Sequence, residues 1–253
     1  MSKDFSGKTA LVTGAASGIG AACARALAER GAARLILVDV QGDVLEAMEL
    51  DCETQIHAGS VADEALWDAI EAKGETIHVS VLNAGIAGDA APVIQHSFDN
   101  WRKIMAVNLD GAFLSLRTAM RMAERGSAIV LTASVTGVKP EKTIAAYASS
   151  KAAVIQLAKV AAKEAAPHGV RVNAIAPGGV DTAIWDGAPF FEDLVAKHQG
   201  DRAGALAAMA AQATPMGRFA TPEEIAGQIL FLLSDHAIGI TGSTLVSDGG
   251  FRL

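Results

Sequence analysis

The apolar positions of this chain fall into two patterns, short unbroken runs and longer stretches with helical spacing, and the two alternate. The run Thr9 to Thr13 is followed by the helical pattern Gly20 to Arg30 and then by the run Leu35 to Val38. That rhythm predicts strand-helix-strand crossovers, which make neighbouring strands parallel. Further strands are predicted at Gln55 to Ala58, Ile77 to Leu82, Ala128 to Ala133, Val170 to Ile175 and Ser243 to Val246. Helices are predicted near Glu64, Asn108, Tyr147 and Pro222, and the strand total is about seven. Runs such as Leu35-Ile36-Leu37-Val38 lack polar alternation, as strands do when helices cover both faces of their sheet. The expected architecture is an α/β fold, a parallel sheet between two helical layers.

No linker, low-complexity tract or fixed-period repeat divides the chain, so residues 1–253 are expected to form a single domain. From Asp181 to Phe219 the alternation lapses into an excursion too long for an ordinary connection, and residues 182–219 are expected to cover a substrate. At 51% hydrophobic residues the chain can bury a large core. Its 21 basic and 28 acidic side chains leave a net charge of −7, which opposes nucleic acid or an anionic membrane as a partner. The amino terminus is charged at Lys3, Asp4 and Lys8, unlike a secretory signal, and the apolar stretch from Ala152 to Ala166 is broken by Lys159 and Lys163. Cys23 and Cys52 offer no disulfide framework and read as buried thiols of a cytoplasmic protein. The six histidines show no metal-binding spacing, so no metal site is expected.

Directly after the first run comes Thr13-Gly14-Ala15-Ala16-Ser17-Gly18-Ile19-Gly20, which opens a helix. Glycines there allow a tight turn and let a pyrophosphate reach the free N–H groups of the helix N-terminus. Asp39 ends the next run, about twenty positions on, where a carboxylate meets an adenosine ribose. It could also be an ordinary strand-end residue, but Ala16, Ser17, Val40 and Gln41 offer no cation for a 2′-phosphate. The expected cofactor is therefore NAD, not NADP.

Tyr147-Ala148-Ser149-Ser150-Lys151 heads a helical stretch, placing Tyr147 and Lys151 one turn apart on one face. A phenol is a weak base at neutral pH, and a neighbouring ammonium favours its phenolate. Ser134 is delivered to the carboxyl end of its strand, where open parallel sheets bind ligands. Thr132 and Thr136 are rival hydroxyls, Ser134 could be only a turn or cap residue, and so could Asn108, at the start of a helical segment.

With these motifs in order the chain resembles the short-chain dehydrogenase/reductase family along its whole length. The resemblance rests on Thr13 to Gly20, Asn83-Ala84-Gly85, Asn108, Ser134, Tyr147, Lys151, Pro177-Gly178-Gly179-Val180-Asp181-Thr182 and Asp248-Gly249-Gly250. It implies one doubly wound, Rossmann-like sheet and a catalytic set of Asn108, Ser134, Tyr147 and Lys151. Tyr147 would move a proton while hydride passes to or from a nicotinamide, Ser134 would orient the oxygen, Lys151 would bond the ribose, and Asn108 would hold a relay water. The implied cofactor surface comprises Gly14, Ser17, Gly18, Ile19, Gly20, Asp39, Ser60, Val61, Asn83, Ala84 and Gly85. It continues through Tyr147, Lys151, Pro177, Gly178, Val180 and Thr182. Ser134, Thr136, Gly179, Ile184 and Trp185 would face a small to medium, largely apolar secondary alcohol or ketone. Ser60 replaces the family's usual Asp near the adenine, and Leu82 replaces the first Asn of its Asn-Asn-Ala-Gly run. Relatives commonly form tetramers, so a homotetramer is expected. Two other functions compete: a ketoreductase of acyl-carrier thioesters, and an NAD-binding scaffold without chemistry.

Overall fold

The protein is described here by a computed structural model covering residues 4–253. Seven strands form: β1 (Thr9–Thr13), β2 (Arg34–Asp39), β3 (Glu53–Ala58), β4 (Val79–Leu82), β5 (Ala128–Thr132), β6 (Arg171–Pro177) and β7 (Thr244–Ser247). All pair in parallel, in the order β3-β2-β1-β4-β5-β6-β7. Each expected strand is present, with ends displaced by no more than two residues. Strand order reverses beside β1, where the chain leaves β3 at one edge and returns as β4 on the far side of β1. Such a reversal opens a crevice at the carboxyl ends of the strands.

The uninterrupted apolar runs serve two cores at once, because alternate side chains of a strand point to opposite faces. Ala10, Val12, Leu35 and Leu37 pack into one core; Leu11, Ile36 and Val38, interleaved with them, pack into the other. The first core is closed by α1 (Gly18–Glu29), with Cys23 and Leu27, and by the later helix over Pro222–Leu233, with Ile225 and Ile229. Between β2 and β3 lies the short α2 (Gly42–Glu46). The second core takes Trp67 from α3 (Glu64–Glu71), which is followed by α4 (Phe98–Met105). It also takes Leu116 from α5 (Gly111–Arg121) and Val154 and Ala158 from α6 (Ala145–Ala165).

The buried positions of α6 are Ala146, Ser150, Lys151, Val154, Ile155, Ala158, Ala161, Ala162 and Ala165. That is a helical stripe, and its alanines let the helix lie close on the sheet. The same stripe carries Ser150 and Lys151 inward, so the packing that docks α6 also buries the lysine.

Three expectations change. Asn108 does not begin a helix; it lies in a π turn, Ala106–Asp110, joining α4 to α5 in one helical run. Cys52 is half-buried, whereas Cys23 is buried and its thiol is pushed up to about 12 by that burial. The excursion after Thr182 holds two helices, α7 (Pro189–Lys197) and α8 (Arg202–Ala213), built around Phe191, Ala205 and Leu206. The closing helix, Pro222–Leu233, is α9; Thr221 and Glu224 form a capping box at its start, with Pro222 in its first turn.

Candidate active site

The glycine loop leaves β1 at Thr13. Gly14 and Gly18 adopt φ of 65° and 51°, a left-handed backbone that glycine takes without strain. A Cβ on Gly20 would lie 1.9 Å from the Gly14 carbonyl oxygen, so only glycine fits there. Ser17 precedes α1 with extended backbone and makes no side-chain cap bond. The first-turn N–H groups of α1 thus carry no side-chain cap, which suits a pyrophosphate. The Thr13 hydroxyl accepts from the N–H groups of Asn83 (2.9 Å) and Ala84 (3.1 Å), tying the glycine loop to the Asn-Ala-Gly turn. With Leu82 buried in the second core, Thr13 supplies bonding at that turn.

At the end of β2 the Asp39 carboxylate accepts from Ala16 N (3.0 Å) and Gln41 N (3.1 Å). It therefore stands beside the loop that would hold the phosphates. Ser60 accepts from Ala62 N at 3.2 Å, leaving its hydroxyl hydrogen to give. The carbonyl of Val61 is anchored by the Trp67 indole at 2.7 Å.

Across the crevice, β5 delivers Ser134 and α6 delivers Tyr147 and Lys151. Tyr147 is partly exposed and is the chain's single tyrosine. Burial of its phenol raises the pKa, and the neighbouring Ser134 hydroxyl opposes that rise. The Lys151 ammonium lies 5.8 Å from the centre of the Tyr147 ring and donates to the Thr132 carbonyl at 3.0 Å. Desolvation pushes its pKa down from 10.5 to about 8. A Cβ on Gly85 would meet Lys151 Nζ at 3.1 Å and Asn108 Oδ1 at 3.3 Å, so Gly85 sits between the two.

Asn108 spends both amide hydrogens and one lone pair of its oxygen on protein. Its Oδ1 accepts from Ile86 N at 2.8 Å, and its amide donates to the Ile86 carbonyl at 2.9 Å and to Ser150 Oγ at 3.2 Å. Ser150 then donates to the Tyr147 carbonyl at 2.7 Å. This chain of bonds fixes the turn after β4 against the first turn of α6. Ser150 stands beside the better known pair in sequence, yet nothing local marks it for this task.

The third wall starts at the end of β6. A Cβ on Gly178 would lie 2.8 Å from the Asp248 Cα, so the Pro-Gly turn packs on the Asp-Gly-Gly segment. Thr182 Cγ2 would lie 3.1 Å from a Cβ on Gly18, which places Thr182 against the glycine loop. Gly179 leaves room for the ring of Phe219, which stacks on Trp185 at 5.6 Å between centroids. The Trp185 indole donates to the Val180 carbonyl at 2.7 Å. Ile184 and Phe190 are exposed, whereas Phe191 is buried in the excursion's own core. Sequence reasoning missed Arg202, which donates to Asp181 and Asp186 (both 2.8 Å) and to the Thr182 carbonyl (3.0 Å). Among the described residues no group of three potential metal ligands forms, and no helix is long and apolar enough to cross a membrane.

A reversed parallel sheet, a glycine cradle at a helix N-terminus and a Ser-Tyr-Lys cluster facing it define a dinucleotide-dependent oxidoreductase. A family model described as enoyl-(acyl carrier protein) reductase matches residues 14–252. The chain is 40% identical over 265 residues to the cis-4-hydroxycyclohexanecarboxylate dehydrogenase of Sinomonas cyclohexanicum, with 99% of each chain covered. It is 39% identical to the D-threitol dehydrogenase of Mycolicibacterium smegmatis, covering 98% of this chain and 94% of that one. The crystal structure of L-sorbose reductase from Gluconobacter frateurii, complexed with NADPH and L-sorbose, superimposes with a TM-score of 0.88 at 29% identity, covering 99% and 98%. The chain belongs to the short-chain dehydrogenase/reductase family, and its cofactor is a nicotinamide dinucleotide.

Proposed function

We propose that this protein interconverts a secondary alcohol and a ketone with NAD, and that Tyr147 moves the proton. The observation that carries the reading is the cluster of Ser134, Tyr147 and Lys151 at the carboxyl edge of the sheet, facing the glycine cradle. When bound, the nicotinamide supplies or removes the hydride. Ser134 donates to the substrate oxygen and holds it beside the phenol. Tyr147 gives its proton to that oxygen in reduction and takes it back in oxidation. Lys151, held by the Thr132 carbonyl, keeps a positive charge next to the phenol and so favours the phenolate. Asn108 works by holding the turn at Ile86 and Gly85, and the π turn it occupies is the break in the helix where a relay water would find backbone to bond.

Gly14, Ser17, Gly18, Ile19 and Gly20 hold the pyrophosphate in this reading. Ser60 and Val61 flank the adenine, Asn83, Ala84 and Gly85 line the ribose side, and Pro177, Gly178, Val180 and Thr182 border the nicotinamide. Asp39 selects NAD: a carboxylate accepts from ribose hydroxyls and repels a 2′-phosphate, and no cation stands at positions 16, 17, 40 or 41. NADPH in the sorbose reductase belongs to that relative. Gly179, Ile184, Trp185 and Thr136 border the substrate, under a cover formed by residues 182–219.

The aromatic surface of Trp185 and Phe219, and the cyclohexane ring in one relative's substrate, support a largely apolar, cyclic alcohol. The acyl-carrier alternative is not favoured, since the relatives named above act on small alcohols and a sugar and the net charge is −7. Assays of the purified protein with NAD or NADP across cyclohexanols, tetritols, hexitols and 3-hydroxyacyl thioesters test the reading. The expected result is NADH formation, fastest with a cyclic alcohol. A lower KM for NADP, or preference for the thioester, contradicts it. We further propose one domain and a cytoplasmic homotetramer, the tetramer being supported by the apolar side chains of Phe113 on α5 and Val160 on α6, which stand on the exposed faces of those helices. A monomer in sedimentation contradicts the tetramer.

A further inference from the structure

Ser134 sits at a junction of hydrogen bonds. Its Oγ accepts from the backbone N–H of Thr136 at 3.2 Å and from the Thr136 hydroxyl at 3.0 Å. A hydroxyl has two lone pairs and one hydrogen. Thr136 fills both lone pairs, so the Ser134 hydrogen is all that remains to be given. The Thr136 hydroxyl makes no other hydrogen bond among the described residues, so Ser134 is its one acceptor there. With both lone pairs taken, the Ser134 hydrogen is left for the phenol or the substrate oxygen, and donation to the phenolate works against the rise in phenol pKa that burial causes. A bond lowers an acid's pKa only when it donates to the charged form.

We propose that Thr136 is a positioning residue for the reaction, acting through Ser134, whose hydroxyl it locks as a donor toward Tyr147 and the substrate oxygen. The proposal rests on the acid-base reading of Tyr147 given above. Three hydroxyls then form a directed line, Thr136 to Ser134 to the phenol or substrate oxygen, and each bond polarises the next. A serine without the Thr136 hydroxyl keeps a free lone pair. It can turn that lone pair toward the substrate carbonyl, where two oxygens repel and the carbonyl loses its donor. During oxidation the proton passes from the alcohol to the Tyr147 oxygen; Ser134 donates throughout and transfers nothing. A threonine that merely touched substrate would change KM alone, so the two roles separate in kinetics.

Because Tyr147 is the only tyrosine in the chain, ultraviolet difference absorption of tyrosinate reports its ionisation without interference from another phenol. Thr136→Val keeps the shape and the backbone N–H bond to Ser134 but loses the hydroxyl; Thr136→Ser loses a methyl group but keeps the hydroxyl and the N–H bond. In Thr136→Val the tyrosinate transition of the free protein should move up by about half a pH unit. Alcohol oxidation needs the phenolate, so the rising limb of kcat/KM against pH should move to higher pH by a similar amount. The kcat should fall about tenfold with KM unchanged. Thr136→Ser should restore all three values, and Thr136→Ala serves as the variant if the valine protein does not fold. The proposal is overturned if the valine or alanine protein keeps the wild-type tyrosinate pKa and kcat, if only its KM rises, or if Thr136→Ser behaves as they do. Tyr147→Phe, run alongside, separates the two claims. Full turnover in that variant defeats the acid-base reading itself, whereas an inactive Tyr147→Phe beside an unperturbed Thr136→Val defeats only the role of Thr136.

Discussion

The floor of the site and its cover are held together by different physics. The floor is buried: Asn108 is 1% exposed, Lys151 4% and Ser134 7%. Its bonds join elements far apart in the chain, from Ile86 through Asn108 and Ser150 to the first turn of α6. The cover from Thr182 to Phe219 has a small core of its own and is clamped near its start by one guanidinium. Arg202 holds Asp181, Asp186 and the Thr182 carbonyl, with its side chain 38% exposed, and lies 5.6 Å from the centre of the Phe191 ring. Buried bonds are costly to open because the freed groups find no water, while exposed ion pairs exchange for water at little cost. The floor is thus suited to hold reacting atoms still, and we propose that the segment from 182 to 219 is the part that gives way to substrate. Variants of the floor should change kcat, and variants of the cover should change KM.

The largest effect expected in the floor is from Lys151→Met, with kcat down about a thousandfold and the substrate KM little changed. A rise in KM with kcat unchanged would dissolve the distinction. The same variant tests the burial of the ammonium through stability. In the cofactor-free protein Lys151 loses its proton near pH 8, against 10.5 for an ordinary lysine. Between those values the unfolded chain binds more protons than the folded one, so wild-type stability should rise with pH across that window relative to Lys151→Met. Across the whole window the relative gain approaches about 3 kcal/mol, and denaturant unfolding at pH 7.5 and 10 should show about 2 kcal/mol of it. A flat difference would place the lysine in water.

The cofactor cradle ranks next. Gly20→Ala brings a methyl group within 1.9 Å of the Gly14 oxygen, so the loop must move; calorimetry should show NADH binding weakened about a hundredfold. Asp39→Ala should raise the KM for NAD about tenfold and narrow the margin over NADP, and an unchanged ratio would remove Asp39 from cofactor selection. The smallest effect belongs to the cover. Arg202→Ala should raise the substrate KM a few-fold and speed proteolysis between residues 182 and 219, while thermal stability changes by less than about 1 kcal/mol. A large fall in kcat would mean that the cover shares the rigidity of the floor.

The same two regions differ in how far they were legible from sequence. The sheet was read almost whole, because runs such as Leu35 to Val38 and Ala128 to Leu131 bury both faces and carry that fact in their composition. Ser134, Tyr147, Lys151 and the glycine loop lie in contiguous motifs at strand and helix ends. The π turn at Asn108 escaped because a single inserted residue leaves the helical pattern on either side intact. The clamp at Arg202 escaped for a different reason: its partners lie about twenty positions upstream, and an arginine among exposed residues reads as ordinary surface. Gly179 was expected to face the substrate, and only the Phe219 ring lying against it shows why a side chain is excluded there. Contacts between side chains distant in sequence leave no period to read.

The central claim is that Tyr147 carries the proton, and it can be tested without ambiguity because Tyr147→Phe removes the only phenol in the chain. Turnover of the best alcohol found with NAD should fall at least about a thousandfold, while NADH still binds with wild-type affinity by fluorescence titration. Wild-type turnover in that variant would contradict the account.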